Sequence, residues 1–166
     1  TGREIDPAEE VSLSILSNGS AGVACRLVNS NSLNLYRDIL NLASSLPNLN
    51  TKKAMQLSHD YFAKDKASEF ENFIEMMQQF VSRLCKTGAM RSPISPSVNN
   101  DEAKIMTYLC PSLSSAHLWA EAAEITIAKL HKGYLLNIDV ESLIIDTFIN
   151  LEKCFNTINP NRMINE

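Results

Sequence analysis

The sequence predicts an all-α fold, a helical bundle of seven or eight helices without β-strands. Apolar residues recur every three or four positions through most of the chain, as in Phe70, Phe73, Met77 and Phe80. This spacing places them on one face of a helix, whereas no segment alternates with the period of two that a strand needs. The five glycines among 166 residues also argue against sandwiches, barrels and phosphate-cradling loops.

Start and stop signals divide the first part of the chain into four helices. Asp6 and Pro7 suit the cap and first position of a helix, and Asn18 and Gly19 tolerate the left-handed conformation that ends one. We expect a first helix ending at Asn18–Gly19, a second after Ser20, a third over about Leu33–Leu46 ended by Pro47, and a fourth after Asn50–Thr51.

The second part of the chain predicts four more helices and one long loop. The clearest is an amphipathic helix opened by Asp65 and closed by Gly88, about 35 Å long at ~1.5 Å per residue. The prolines and polar residues of 87–100 predict a mobile loop. The others are a short helix capped by Asp101 and broken by Pro111, a central helix over Ala116–Lys132 opened by Ser114–Ser115, and a last helix capped by Asp139 and ended by Asn159–Pro160.

A polar break at 29–32 is the best candidate for a boundary between subdomains. We expect one unit over residues 1–30, with 1–5 as linker or added residues, a second over 31–160, and a frayed tail over 161–166. Because the chain begins with Thr1 and not with Met, we expect it to be a piece of a longer protein.

Composition excludes several classes of function. Lys and Arg total 15 against 19 Asp and Glu, a formal charge of −4, whereas a compact nucleic-acid binder carries a positive excess. The 45% of hydrophobic residues suits a packed core and not a disordered tail. No segment approaches the roughly 18 consecutive apolar residues that a membrane span needs, and no signal peptide is visible.

The cysteines and histidines do not form a recognisable reactive site. Cys25, Cys85, Cys110 and Cys154 are widely spaced among apolar residues, which favours reduced core cysteines over a disulfide or a zinc site. Cys85 paired with a remote histidine would make a nucleophile, but it lies on an apolar helical stripe. The only histidines, His59, His117 and His131, lack metal-binding spacing, so surface positions are favoured over metal or general-base roles.

Three further patterns have an ordinary structural interpretation beside a functional one. Glu71 and Glu75 are spaced as in di-iron bundles, but without Glu-x-x-His motifs a solvated face is favoured. Pro93-Ile94-Ser95-Pro96 matches a Pro-x-x-Pro docking motif, but an ordinary loop that contains prolines is favoured. Gly19-Ser20-Ala21-Gly22 lacks the Lys of a phosphate loop and is interpreted as a helix stop followed by a helix cap.

Several segments together resemble one protein family. The run from Leu13 to Leu27, with Gly19-Ser20 at its centre, resembles the end of the lid in clamp-loader ATPases. The match continues through Leu35–Leu40 and Leu46-Pro47, and returns at Leu118–Glu121, Leu136-Asn137-Ile138-Asp139 and Ile145–Phe148. Over about Pro7 to Phe155, the chain resembles the C-terminal collar region of delta-prime subunits of bacterial DNA polymerase III, in the clamp-loader AAA+ family.

The resemblance implies a structural role in DNA replication. Residues up to about Ser30 would be the last two helices of the lid subdomain, and residues from Asn31 onward would be the helical collar. Five subunits join through their collars into a loader that places the sliding clamp on primed DNA. The implied partners are therefore other clamp-loader subunits in the bacterial cytoplasm, with no cofactor, metal, membrane or direct nucleic-acid contact. The chain would not be an enzyme by itself, although the parent holoenzyme is a DNA-directed DNA polymerase.

One departure from the family pattern is informative. Gly22 stands where ATP-hydrolysing relatives carry a phosphate-sensing Arg, and glycine supplies no charge for phosphate oxygens. The resemblance therefore implies a non-hydrolysing subunit with no catalytic, cofactor-binding or metal-binding residue. Arg26, one helical turn further on, is a weaker candidate for a substitute.

Two other classes of function stay open at this point. The alternative is a helical ligand-binding or regulatory domain with an internal apolar pocket. The candidate residues for such a pocket are Trp119, Tyr61, Phe73 and Phe80. An all-helical enzyme ranks last, because no set of nucleophile, base and metal ligands emerges from the sequence.

Overall fold

A computed structural model describes residues 6–29, 31–62 and 66–160, and within these ranges the chain is all-helical. The eight helices are α1 (Pro7–Leu16), α2 (Ala21–Asn29), α3 (Ser32–Ala43), α4 (Thr51–Phe62), α5 (Lys66–Met90), α6 (Glu102–Leu109), α7 (Leu113–Leu135) and α8 (Val140–Ile158). The prediction of a helical bundle with seven or eight helices is therefore confirmed for the described residues. Predictions that fall on Asp65, Ser30, residues 1–5 and residues 161–166 lie outside them.

The first helices begin and end as the sequence predicts. Asp6 accepts a hydrogen bond from the backbone N–H of Ala8 (3.5 Å), and Pro7 occupies the first turn of α1. After α1, Asn18 and Gly19 take positive φ angles of 49° and 80°, the left-handed conformation that reverses the chain after a helix. Local signals therefore suffice to define this end of the molecule.

The third helix ends earlier than predicted, at Ala43 instead of Leu46. The hydroxyl groups of Ser44 and Ser45 donate to the carbonyl oxygens of Asn41 (2.7 Å) and Leu42 (2.6 Å). These local bonds close the helix, and a residue that precedes a proline disfavours helical geometry as well. The predicted helix was too long because the prediction considered only the proline.

The fifth helix continues past Gly88, which was predicted to close it, and ends at Met90. Arg91 takes the left-handed conformation (φ 52°) that terminates the helix. Gly88 instead lets α5 approach the start of α7 closely, because a Cβ atom there would overlap Cys110 Sγ and lie 2.6 Å from the carbonyl oxygen of Ser112.

Two predicted helix starts also need correction. Asp101 makes no capping hydrogen bond; the Asn99 side chain accepts instead from the backbone N–H groups of Asp101 (3.1 Å) and Glu102 (2.8 Å). The seventh helix begins at Leu113, three residues before the predicted start. Ser112 is its N-cap and forms a reciprocal capping box with Ser115.

The core is centred on the packing of α5 against α7, with α8 beside α7 and α3 and α4 around them. Trp119 of α7 is completely buried, and its indole N–H donates to the carbonyl oxygen of Leu109 (2.9 Å). An aromatic group extends this core, since Phe70 stacks on Tyr134 at a centroid distance of 4.5 Å and also neighbours Phe62. No helix among the described residues is long and apolar enough to cross a membrane.

The first two helices contact the rest of the bundle through side chains. Ser12 of α1 donates to the carbonyl oxygen of Val98 (2.9 Å), and Arg26 of α2 pairs with Glu75 of α5 (3.1 Å). Leu13 and Leu16 of α1 are buried in the same core as the later helices. The units predicted to divide near residue 30 are therefore in contact across that position.

We expect alanine to have opposite effects at two helical glycines. A Cβ atom at Gly22 in α2 would meet no atom within 4 Å, so Gly22→Ala should stabilise the fold by about 0.5–1 kcal/mol through helix propensity. Gly88→Ala should destabilise it by about 1–2 kcal/mol, because overlap with the α7 start outweighs that gain. Urea denaturation of both variants provides the measurement, and equal shifts of the same sign would contradict this account.

Candidate interaction surface

Exposed apolar side chains concentrate on α7 and the turn that follows it. Among the described residues, nine large apolar side chains are exposed, and five of them lie within positions 113–138. These five are Leu113, Ile125, Leu135, Leu136 and Ile138. Single exposed apolar residues are ordinary, whereas contiguous ones mark contact surfaces. Leu135, Leu136 and Ile138 are close neighbours in the chain, so the end of α7 and the turn after it are the strongest candidate for a functional surface.

The turn between α7 and α8 holds three of these side chains in a fixed arrangement. Asn137 takes a left-handed conformation (φ 56°), and the backbone N–H of Ile138 donates to the carbonyl oxygen of Gly133 (3.0 Å). Asp139 then caps α8 by accepting from the N–H of Ser142 (3.0 Å). Leu135, Leu136 and Ile138, here called the apolar turn, are 81%, 63% and 46% exposed.

A groove runs between the outer faces of α7 and α8. It has a volume of about 280 Å³, with Leu118, Ala122 and Cys154 among its lining residues and Ile125 exposed along one wall. Glu121 on α7 and Lys153 on α8 give its two walls opposite charges. The groove is therefore mixed in character, with apolar contact area and charges that can orient a partner.

Two further grooves lie elsewhere on the surface. One, of about 600 Å³, lies between α1, α3 and the loop at 97–100, with Val11 and Arg37 on its walls. The other, of about 200 Å³, lies between α3 and α4 and contains Asp38 and Asp60. Neither brings together side chains that form a recognisable reactive or metal-binding set.

A buried ion pair anchors the loop between α5 and α6. The Glu102 side chain is completely buried and accepts from Arg83 Nε (2.7 Å), Arg83 Nη2 (2.9 Å) and the Tyr36 hydroxyl (2.6 Å). Its second oxygen also accepts from the backbone N–H of Val98, and Arg83 donates to the carbonyl oxygen of Pro96 (2.7 Å). We call Tyr36, Arg83 and Glu102 the polar cluster.

The polar cluster is satisfied internally, which gives it a structural character. Burial lowers the pKa of Arg83, but the hydrogen bonds and charge of Glu102 outweigh this effect and the pKa is raised. Burial, together with the nearby Glu102 carboxylate, holds the pKa of Tyr36 well above its usual value. Tyr36 and Arg83 therefore each stay in one protonation state near neutral pH, unlike a group that exchanges protons during a reaction.

The cluster also corrects the prediction of a mobile loop over 87–100. Residues 87–90 belong to α5, and the segment after them is fixed by Pro96 and Val98, which bond to the polar cluster. Ile94 and Val98 are buried in the core. The Pro93–Pro96 motif therefore lies in an anchored loop.

The predicted histidine positions are exposed, as the surface interpretation requires. His59 lies at the surface with Nδ1 3.6 Å from an Asp60 oxygen, and His117 and His131 are exposed on α7. Within the described ranges, no group of three His, Cys, Asp or Glu side chains could hold a metal ion.

The cysteines differ in solvent exposure more than the sequence indicates. Cys110 is buried and Cys85 and Cys154 are half-buried, but Cys25 is exposed on α2, so the prediction of a core position is wrong for Cys25. Burial, with a smaller effect from Cys110, raises the pKa of Cys85 to about 11, and its thiol donates to the carbonyl oxygen of Ala116 (3.5 Å). A raised pKa makes Cys85 a poor nucleophile.

These environments predict one fast-reacting thiol per chain. Cys25 should react rapidly with a disulfide reagent such as Ellman's reagent at pH 8, because it is exposed. The other three thiols should react more slowly, because they are buried or half-buried. Cys25→Ser should abolish the fast phase while leaving the slow phase unchanged; two or more fast thiols in the parent chain would contradict these burial assignments.

The same thiols predict a loss of stability at alkaline pH. Burial raises the pKa from 9.0 to about 11 for Cys85 and to about 12 for Cys154, and neighbouring cysteines add to both shifts. A group with a raised pKa contributes its stability below pH 9 and loses it as pH rises towards the folded-state value. The urea midpoint should fall between pH 9 and pH 11, and a Cys85→Ala/Cys154→Ala variant should show a shallower decline.

The remaining residues that the sequence analysis singled out do not come together at one site in the fold. Glu75 pairs with Arg26 of α2, whereas Glu71 is exposed, so the two carboxylates do not converge on one site. The same ion pair directs Arg26 towards α5. Gly19 lies in the turn and Gly22 is exposed on α2, where the space around it is open.

The aromatic residues of the ligand-pocket alternative do not line any of the three grooves described above. Trp119, Phe73 and Phe80 are completely buried as core side chains. Tyr61 donates to Asp38 Oδ2 (2.8 Å), and burial, followed by that hydrogen bond, raises its pKa. These observations favour packing roles for all four residues.

Sequence reasoning missed the polar cluster, although one signal pointed to it. Arg83 follows Met76 and Phe80 at helical spacing and precedes Thr87, so it lies on the edge of a buried face where a charge needs a partner. Nothing in the sequence indicates that this partner is Glu102.

No protein-family model matches the chain, and no significant match was found among curated proteins or solved structures.

Proposed function

We propose that this chain is a helical assembly domain that holds sibling protein chains together through its exposed apolar surface. The observation that carries this proposal is the concentration of exposed apolar side chains on α7 and the apolar turn. Burying apolar area against a partner stabilises a complex by about 25 cal/mol per Å² before the costs of association are subtracted. A rigid turn loses little freedom on binding and so suits this role.

The finer form of the proposal is the C-terminal collar of a non-hydrolysing, delta-prime-like clamp-loader subunit. It is supported by the resemblance over Pro7–Phe155, including the Leu136–Asp139 segment that forms the apolar turn. Its partners would be the other loader subunits, and the complete loader would place the sliding clamp on primed DNA. The domain would act by holding this assembly together in the cytoplasm, without a cofactor of its own.

Co-purification with the other clamp-loader subunits of the same genome tests this proposal. The full chain should enter a complex of fixed stoichiometry, measured by size-exclusion chromatography with light scattering. Leu136→Asp/Ile138→Asp should weaken its incorporation at least about tenfold, because two charges would have to be desolvated at the contact. Failure of the parent chain to associate with any loader subunit would refute the clamp-loader form.

A matched control separates a specific contact from general surface effects. Met55 of α4 is 46% exposed, the same exposed fraction as Ile138, and lies outside α7 and the apolar turn. Met55→Asp should therefore leave incorporation unchanged. Calorimetry with ATP provides a separate check, since a chain with Gly22 in place of the phosphate-sensing Arg should bind no ATP; micromolar binding would overturn that interpretation of position 22.

A further inference from the structure

The outer face of α7 carries a heptad pattern that the core does not use. The buried residues of α7 are Ser115, Ala116, Trp119, Thr126, Leu130 and Gly133. About 150° around the helix, a second row repeats at alternating steps of three and four residues. This row, here called the α7 seam, consists of Leu118, Glu121, Ile125, Ala128, Lys132 and Leu135.

The α7 seam is open to solvent over most of its length. Leu118 is half-buried at the edge of the groove with α8, and the other five residues are exposed. Ile125 and Leu135 are 59% and 81% exposed. From Leu118 to Leu135 the seam is about 26 Å long at ~1.5 Å per residue, which is enough for a short helix pair.

The order of residues along the seam is self-complementary. If a second α7 lies antiparallel across the midpoint between Thr126 and Ile127, Leu118 faces Leu135 of the other copy. In the same register Ile125 faces Ala128, so that a large side chain meets a small one. Glu121 faces Lys132, and the two-fold symmetry generates each of these pairs twice.

We propose that α7 pairs with α7 of a second copy of this chain, antiparallel and in this register. The charges decide both occupant and direction, because a parallel pair would place Glu121 against Glu121 and Lys132 against Lys132. In the antiparallel pair every position of the seam has a compatible partner. The inference rests on the proposed assembly role for α7 but assigns it a partner that the role does not require.

The expected complex is a weak, symmetric dimer. One helix pair of this length buries less area than the interface of a typical stable complex, so we expect a dissociation constant of about 10–100 μM. The dimer should weaken as salt is raised, because its two Glu121–Lys132 contacts lie near solvent.

Sedimentation equilibrium of the full chain, up to about 200 μM, tests the proposal with charge-swap variants. Lys132→Glu should raise the dissociation constant at least about tenfold, because it sets two carboxylates against each other at both symmetric positions. Glu121→Lys/Lys132→Glu should restore the parent affinity, since the swap preserves the antiparallel pairing. Ile125→Glu should abolish the dimer by introducing a charge at the centre of the seam.

A matched control and a folding check accompany these variants. Lys52 is exposed on α4, outside the seam, so Lys52→Glu should leave the dimer unchanged. Circular dichroism should show parent helix content for every variant, since each replaced side chain is exposed.

Each outcome decides the proposal. A chain that stays monomeric at the highest concentration overturns it, and so does a dimer that survives Ile125→Glu. A double swap that fails to restore the dimer overturns the antiparallel register.

Comparison with the loader experiment separates the two proposals. A monomeric chain that still enters the loader overturns the dimer alone. A monomeric chain whose loader entry is blocked by Ile125→Glu shows that a sibling subunit occupies the seam. A seam-dependent dimer without loader entry overturns the clamp-loader form instead.

Discussion

Replacing Glu102 with leucine is expected to lower the free energy of unfolding by about 3–5 kcal/mol. The substitution leaves the Arg83 guanidinium without its carboxylate partner, and the Arg83 side chain is only 10% exposed. It also removes the acceptor of the Tyr36 hydroxyl and of the Val98 N–H. Urea denaturation followed by circular dichroism gives the measurement, with Glu71→Leu on the exposed face of α5 as the control, expected within about 0.5 kcal/mol of the parent.

A double variant separates the charge from the packing. Arg83→Met/Glu102→Leu removes both charges together, so it should cost less than Glu102→Leu alone even though Tyr36 and Val98 still lose an acceptor. If the double variant is less stable than the single one, an unpaired buried charge is not the main cause of the loss, and Arg83 stabilises the fold through other contacts such as its bond to the Pro96 carbonyl oxygen. If Glu102→Leu costs less than about 1 kcal/mol, the cluster is not buried as described.

Truncation of Trp119 is expected to have a comparable effect, about 3–5 kcal/mol for Trp119→Ala. Trp119 is completely buried on α7, where the helix meets the centre of the core, and alanine would leave a cavity. Because Trp119 is the single tryptophan of the chain, its fluorescence disappears in the variant and unfolding has to be followed by circular dichroism.

Phenylalanine at this position divides the effect into two parts. Trp119→Phe keeps most of the apolar contact but removes the donor to the Leu109 carbonyl oxygen, so it should cost about 1–3 kcal/mol. Ile125→Ala on the exposed side of the same helix should stay within about 0.5 kcal/mol of the parent. Equal losses for Trp119→Phe and Trp119→Ala would assign the whole effect to the hydrogen bond.

Helix number and type could be predicted from the sequence because those signals are local. Asp6, Pro7 and Gly19 act within one turn of their own positions, and the apolar spacing of α5 extends along a single helix. Three boundary errors were also local, at Ser44–Ser45, Asn99 and Ser112, whereas the error at Gly88 arose where a distant contact decided the outcome. Gly88 was interpreted as a helix end, whereas its role is to admit Cys110 and the start of α7, which the sequence does not place beside it.

The candidate surface was only partly predictable for the same reason. The sequence marks Trp119 and Ile125 alike as apolar residues of a central helix, but one is completely buried and the other is 59% exposed. Only the packing of α5 and α8 against α7 shows which face remains open. The prediction of a central helix therefore holds for only part of its circumference, because one face of α7 has no neighbour in the described part of the chain.

The polar cluster has a consequence for the order in which the chain folds. Tyr36 and Glu102 are separated by 66 positions, and the Ser12–Val98 bond beside them spans 86. Contacts between such distant segments carry a large loop-closure cost, so we expect the Tyr36–Glu102 hydrogen bond to be absent from the folding transition state. Its removal should then speed unfolding far more than it slows folding.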